Sequence, residues 1–97
     1  MILRPLTAGG ISSTGTVSLV WSDKSAGVIG GVLITTDGTN ACTVIFREDD
    51  SGGTILFDVS TISAGFFLAP IGSPDTATIY YDISGTGGQA MLYEWHQ

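Results

Sequence analysis

The chain has 97 residues and a net charge of −6, with 12% charged residues, 14 glycines, one cysteine and one histidine. A chain of this size supports one modest core, with roughly 5,000 Å² exposed when folded against about 14,500 Å² unfolded. The composition excludes a cationic surface for nucleic acid, a disulfide framework and a Cys/His zinc centre, and a mean hydropathy of +0.37 argues against disorder.

Helix formers are scarce beside Val, Ile and Thr, which favours strands. Seven or eight are predicted, at about 2–6, 15–21, 27–36, 42–48, 54–59, 64–69, 77–83 and 89–95. The opening segment lacks the charged-then-apolar order of a signal peptide, because Arg4 and Pro5 break its short apolar run. With Pro5, Gly9-Gly10 and Ser12-Ser13, residues 1–14 read as an N-terminal arm that packs on the body or on a neighbour, or equally as a frayed terminus, and 15–97 as a single sandwich domain. In Gly15–Trp21, Val17, Leu19 and Trp21 share one face. Gly27, Gly30 and Gly31 in the third run suggest a bulge or bend where the chain crosses between sheets. Asp37-Gly38-Thr39-Asn40 then reads as a hairpin turn before a strand in which Cys42, Val44 and Phe46 oppose Thr43, Ile45 and Arg47.

A second hairpin turn is expected at Asp49-Asp50-Ser51-Gly52-Gly53, followed by Ile55, Phe57 and Val59 alternating with Leu56 and Asp58. Gly72-Ser73-Pro74-Asp75 and Ser84-Gly85-Thr86-Gly87-Gly88 close the remaining pairs. Between them Ile79, Tyr81 and Ile83 face away from Thr78, Tyr80 and Asp82, and Met91, Tyr93 and Trp95 repeat the pattern near the end. Turn signals at such spacing indicate an all-β fold, a small antiparallel β-sandwich of jelly-roll or Ig-like type. The uncharged stretches Pro5–Ser22, Ser25–Thr36 and Val59–Pro74 are too short, or too diluted by Ser, Thr, Gly and Pro, to span a bilayer. A soluble protein made in a cytoplasm, with no membrane partner, is the expectation.

Chemistry-bearing residues are few. His96 stands near the end with no nucleophile assigned to it, and Cys42 sits on a strand as a small buried hydrophobe, far from any cationic cluster that would make it reactive. Glu48-Asp49-Asp50 gathers carboxylates at a turn, but its spacing does not match a calcium-binding loop, and a solvated turn is the favoured reading. Asp58, Asp82 and Glu94 are the carboxylates that would have to meet across strands for glycoside hydrolysis, with no local signature for it. The run Ala26–Gly31 lacks a P-loop lysine. No enzyme, cofactor or metal is expected. Trp21, Tyr80, Tyr81, Tyr93 and Trp95 offer either a sugar-stacking platform or, as favoured here, core and interface packing.

Over Gly31–Trp95, a strand ends in Asp37-Gly38-Thr39-Asn40 and the next in Glu48-Asp49-Asp50-Ser51-Gly52-Gly53-Thr54-Ile55, with a final hairpin around Gly85-Thr86-Gly87. This pattern resembles the small β-sandwich structural proteins of tailed-bacteriophage virions. The chain departs from it in Ala77-Thr78-Ile79-Tyr80-Tyr81, where many such chains place a glycine before alternating apolar residues, and in its glycine-rich start. The resemblance implies a capsid decoration or cement protein on the virion surface, made in the bacterial host, that self-associates, as a homotrimer, and bridges subunits of the major capsid protein. Alternatives are a head-completion, tail or tail-fibre component, or a carbohydrate-binding module. Met1, Ile2, Leu3, Tyr80, Tyr93 and Trp95 are the expected interface residues. The excess of apolar residues over what a lone small domain needs supports an interface.

Overall fold

The computed structural model describes residues 2–7, 9–18, 28–69 and 78–96. Its strands are β1 (Ile2–Pro5), β2 (Thr14–Ser18), β3 (Val28–Thr35), β4 (Cys42–Glu48), β5 (Ile55–Thr61), β6 (Gly65–Leu68), β7 (Thr78–Ser84) and β8 (Gln89–His96). They form two antiparallel four-stranded sheets, ordered β1-β8-β3-β6 and β2-β7-β4-β5. Strands 1 and 8, 2 and 7, 3 and 6, and 4 and 5 pair, as if one long hairpin with β4–β5 at its tip had been rolled into two layers. Pairs β3–β8 and β4–β7 then close each sheet. Of the two expected sandwich types, this order is that of the jelly roll.

Period-two alternation decides what lies between the layers. On β4, Cys42, Val44 and Phe46 are fully buried; β7 adds Ile79 and Ile83, and from the other sheet come Ile29, Val32, Ile34, Ala90 and Leu92. Each fully buried Val, Leu, Ile or Phe contributes about 1.5–3 kcal/mol. Phe46 and Phe57 pack with ring centroids 5.6 Å apart. Burial raises the pKa of the Cys42 thiol, as suits a residue that fills space. Glu94 is also buried, on the inward side of β8 opposite Arg4 in register.

Three expectations are corrected here. The described residues of 1–14 are not an arm apart from the sandwich: β1 is an edge strand of the first sheet, and beyond it the Leu6 N–H donates to the Leu92 carbonyl at 2.7 Å while Ile11 and Ala90 exchange two hydrogen bonds of 2.8 Å. Leu6 and Ile11 pack against the core, so 15–97 is not the whole sandwich. Pro5 is tolerated because an edge strand leaves one row of N–H groups unpaired. The turns at 37–40 and 84–88 are not hairpin turns but crossings from one sheet to the other, since β3 and β8 share a sheet that excludes β4 and β7. Among the described turns, only that at 49–53 joins neighbours in one sheet. The β3 glycines do make a bulge between Ile29 and Gly31, yet the strand stays in its sheet. Trp21, the turn at 72–75 and the ends of the runs expected at 15–21 and 77–83 lie outside the described residues.

The crossing at 36–41 is built on Asp37, whose Oδ1 accepts the Thr39 and Asn40 backbone N–H groups, each at 2.8 Å, while Oδ2 accepts the Asn40 side-chain amide at 2.9 Å. The Asn40 backbone bond, then that of Thr39, holds the carboxyl pKa below its ordinary value. A carboxyl group with a depressed folded pKa stabilises the fold above its unfolded pKa of about 3.9, and loses that contribution as the pH falls through the folded value. The melting temperature of Asp37→Ala is therefore expected below wild type at pH 7, with the gap closing as the pH drops below about 4. A gap independent of pH in thermal melts would remove Asp37's ionised form from the account.

Candidate interaction surface

Residues opposite one another in a ladder share a face, so the register lays out both outer surfaces. On the sheet β2-β7-β4-β5, the outer rows are Thr14 with Asp82, Ile45 and Asp58; Thr16 with Tyr80, Arg47 and Ile55; and Thr43 with Ser60 and Ser84. This surface is rich in hydroxyl groups. Thr14 donates to Asp82 at 3.0 Å, and the Thr43 and Ser60 hydroxyls lie 2.9 Å apart.

The outer surface of β1-β8-β3-β6 has the opposite character. Because Ala90, Leu92 and Glu94 point inward, Met91, Tyr93 and Trp95 point outward. Their rows continue as Leu3 beside Trp95; Pro5, Tyr93, Gly31 and Leu68; and Met91, Leu33 and Phe66. Leu68 is 63% exposed, Phe66 40% and Leu33 36%. A side chain at Gly31 would run into the Phe67 carbonyl and come within 3.0 Å of the Phe66 ring. The missing side chain leaves room for Phe66 to lean edge-on against Tyr93, with centroids 5.4 Å apart at 84°. Such aromatic pairs are worth about 0.5–1.5 kcal/mol beyond their burial. A shallow groove of about 160 Å³ lined by Gly10, Leu33, Thr35, Gln89, Ala90 and Met91 runs along one end of the face.

No described Asp, Glu or Arg stands on this face. Asp58 and Asp82 are on the far sheet, Glu48, Asp49 and Asp50 are at the β4–β5 turn, Asp37 is on a crossing, and Glu94 points inward with Arg4 opposite it in the ladder. The molecule is thus two-sided, apolar on one sheet and hydroxyl-rich and acidic on the other.

Of the expected interface residues, Leu3, Tyr93 and Trp95 are brought together on the apolar face. Ile2 is paired with His96 at one end of the same ladder, and Met1 lies outside the described residues. Tyr80 is not with them: it sits on the opposite outer surface between Thr16 and Arg47, because β7 belongs to the other sheet. Sequence reasoning missed Leu33, Phe66 and Leu68. Their signal was present in Val32-Leu33-Ile34 and Phe66-Phe67-Leu68, since apolar residues on consecutive strand positions must occupy both faces.

The other candidates do not assemble. Asp58 and Asp82 flank Ile45, two strand spacings or roughly 10 Å apart on the outer surface of the second sheet, while Glu94 belongs to the first. Asp50 accepts the Gly52 N–H at 2.9 Å, which uses its carboxylate in the turn. Among the described residues no group of three or more His, Cys, Asp or Glu is placed to hold a metal ion. Comparison with protein-family models, with curated proteins and with solved structures finds no match to this chain, so its function is argued from these two surfaces.

Proposed function

We propose that the chain is a non-enzymatic structural subunit, a virion component of the capsid decoration or cement type, that works by burying an apolar sheet face in an assembly. The observation that carries the reading is the outer face of β1-β8-β3-β6, which holds no charged residue among the described ones, on a chain of net charge −6. Exposed apolar patches of this kind mark association sites. The eight-stranded jelly roll is an architecture used in capsid proteins, which agrees with the resemblance in the turns. Such a subunit stabilises a particle passively, by adding contacts that must be broken before capsid subunits separate. The hydroxyl-rich opposite face and the acidic β4–β5 turn supply the polar surface left for the major capsid protein.

The test is co-sedimentation of the purified chain with tailed-phage capsids from the same source, beside a mass-spectrometric inventory of purified particles. Saturable pelleting at a fixed ratio and presence in the particles are expected. A chain that is absent from particles and stays in the supernatant overturns the reading. A carbohydrate-binding module is the second reading, favoured by Tyr93 and Trp95 sharing one face two residues apart. Signal on a glycan array that is lost in Trp95→Ala would replace the first reading by this one.

A further inference from the structure

We infer that the outer face of β1-β8-β3-β6 packs on the same face of a second copy, as a two-fold dimer with Leu33, Met91 and Tyr93 of the inner strands at its centre and Phe66 and Leu68 of the edge strand beside them. This rests on the reading of the chain as an associating subunit and names its immediate partner.

Area, charge and shape support this occupant. Four strands about 4.8 Å apart with an average of six residues at about 3.3 Å make a plate of roughly 20 by 20 Å. A pair buries roughly 800 Å² counted as flat plates, and about 1,000–1,200 Å² with side-chain relief, which reaches the lower range of specific interfaces. The interior of the molecule already shows the packing required, with two apolar sheet faces meeting at about 10 Å. The groove beside Leu33 and Met91 gives the plate relief for a partner's side chain to enter.

Charge selects a second copy over a basic partner. A cationic protein gains most from the acidic surfaces, and this face has no described carboxylate to offer it. Two copies of charge −6 repel unless their charges are kept apart. Face-to-face docking does that for the carboxylates of the opposite sheet: Asp58 and Asp82 of one copy are then about three sheet spacings, roughly 30 Å, from those of the other, well beyond the Debye length of about 8 Å. Symmetry follows from flatness. A plate can be fully covered by only one other plate, so this face favours an isologous two-fold pair over the homotrimer expected from the resemblance.

Light scattering on the purified chain at about 100 μM, above the micromolar Kd at the weak end of specific interfaces, is expected to give twice the 10.0 kDa chain mass. Leu33→Glu, on an inner strand, is expected to weaken the dimer by at least about 30-fold, as truncating a central anchor does, and Leu68→Lys, which sets a charge into the apolar face at its edge, is expected to weaken it as well, both with unchanged far-UV circular dichroism. Leu68 lies on a short edge strand and is 63% exposed, so its variant tests the face even where Leu33→Glu fails to fold. Thr16→Glu, on the opposite surface, leaves the dimer intact. A monomer mass, a trimer mass, or a dimer indifferent to both face variants overturns the inference. A monomer whose binding to capsids is lost in Leu68→Lys assigns the face to a foreign protein and leaves the structural role standing, whereas a dimer with no capsid binding keeps the inference and removes that role.

Discussion

Phe46→Ala is expected to destabilise the fold by about 3–5 kcal/mol, the range for deleting a buried phenylalanine side chain. Phe46 is fully buried on β4, an inner strand of its sheet, with Phe57 and Tyr81 as ladder neighbours on either side. Its ring meets Phe57 at 5.6 Å and belongs to the cluster that includes Val32, Ile34 and Leu92 of the other sheet. Truncation removes contact in three directions at once and leaves a cavity that rigid strands on both sides cannot close. Against a total stability of about 5–15 kcal/mol for a domain of this kind, that is a large fraction. Urea denaturation should show the midpoint falling sharply with little change in slope. Ile55→Ala, at a position 47% exposed, is the control and is expected to cost far less. Equal losses in the two variants would mean that Phe46 does not anchor the core.

The strands were legible because they are half-buried. Cys42, Val44 and Phe46 alternate with Thr43, Ile45 and Arg47, and in the structure the first three are buried and the others are not. What alternation does not carry is the partner of each face. The turn at Asp37 has the chemistry of a hairpin turn, with a carboxylate capping two backbone N–H groups, yet it turns the chain into the other sheet. Local hydrogen bonds fix the shape of a turn; the decision between hairpin and crossing belongs to pairings such as Thr35 with Gln89, more than fifty residues apart. The same holds at the start of the chain, where Pro5 and Gly9-Gly10 mark an irregular edge and say nothing of β8 as its partner.

The candidate surface was legible in part for the same reason. Tyr93 and Trp95 fall on one side of β8 by parity alone, and Leu3 joins them through its register with Trp95. Tyr80 follows an identical parity rule on β7 and still ends on the opposite side of the molecule, because parity assigns a side within a strand and not the sheet to which the strand belongs. In Phe66-Phe67-Leu68 the pattern is uniform, so nothing local separates Phe67, which packs against the core, from its exposed neighbours. The low charge content acquires its meaning only once Asp58, Asp82 and the β4–β5 turn are seen away from the apolar face: among the described residues the charges are kept off that face as well as scarce.

Gly85→Ala is the second large effect expected, at roughly 3 kcal/mol, and it tests the jelly-roll crossing from β7 to β8. Gly85 has φ of +118°, where an L side chain is strained; holding a residue in such a region costs about 1–3 kcal/mol. Added to this, a Cβ at Gly85 would run into the Ala41 carbonyl oxygen and approach Cys42 Cα to 3.1 Å. These are backbone atoms at the entry to β4, the neighbour of β7 in the same sheet, so relief requires the start of β4 and the end of β7 to move apart, an overpacking cost of about 1–3 kcal/mol. Gly38→Ala separates the two contributions. Gly38 also has positive φ, +85°, but nothing lies within 4 Å of the Cβ it would gain. Its substitution should therefore cost only the conformational share, about 1 kcal/mol. Chemical denaturation of both variants measures the difference directly. A Gly85→Ala loss no greater than that of Gly38→Ala would show that the 84–88 crossing does not press on β4, and would remove the close approach that fixes where the chain leaves β7 beside the start of β4.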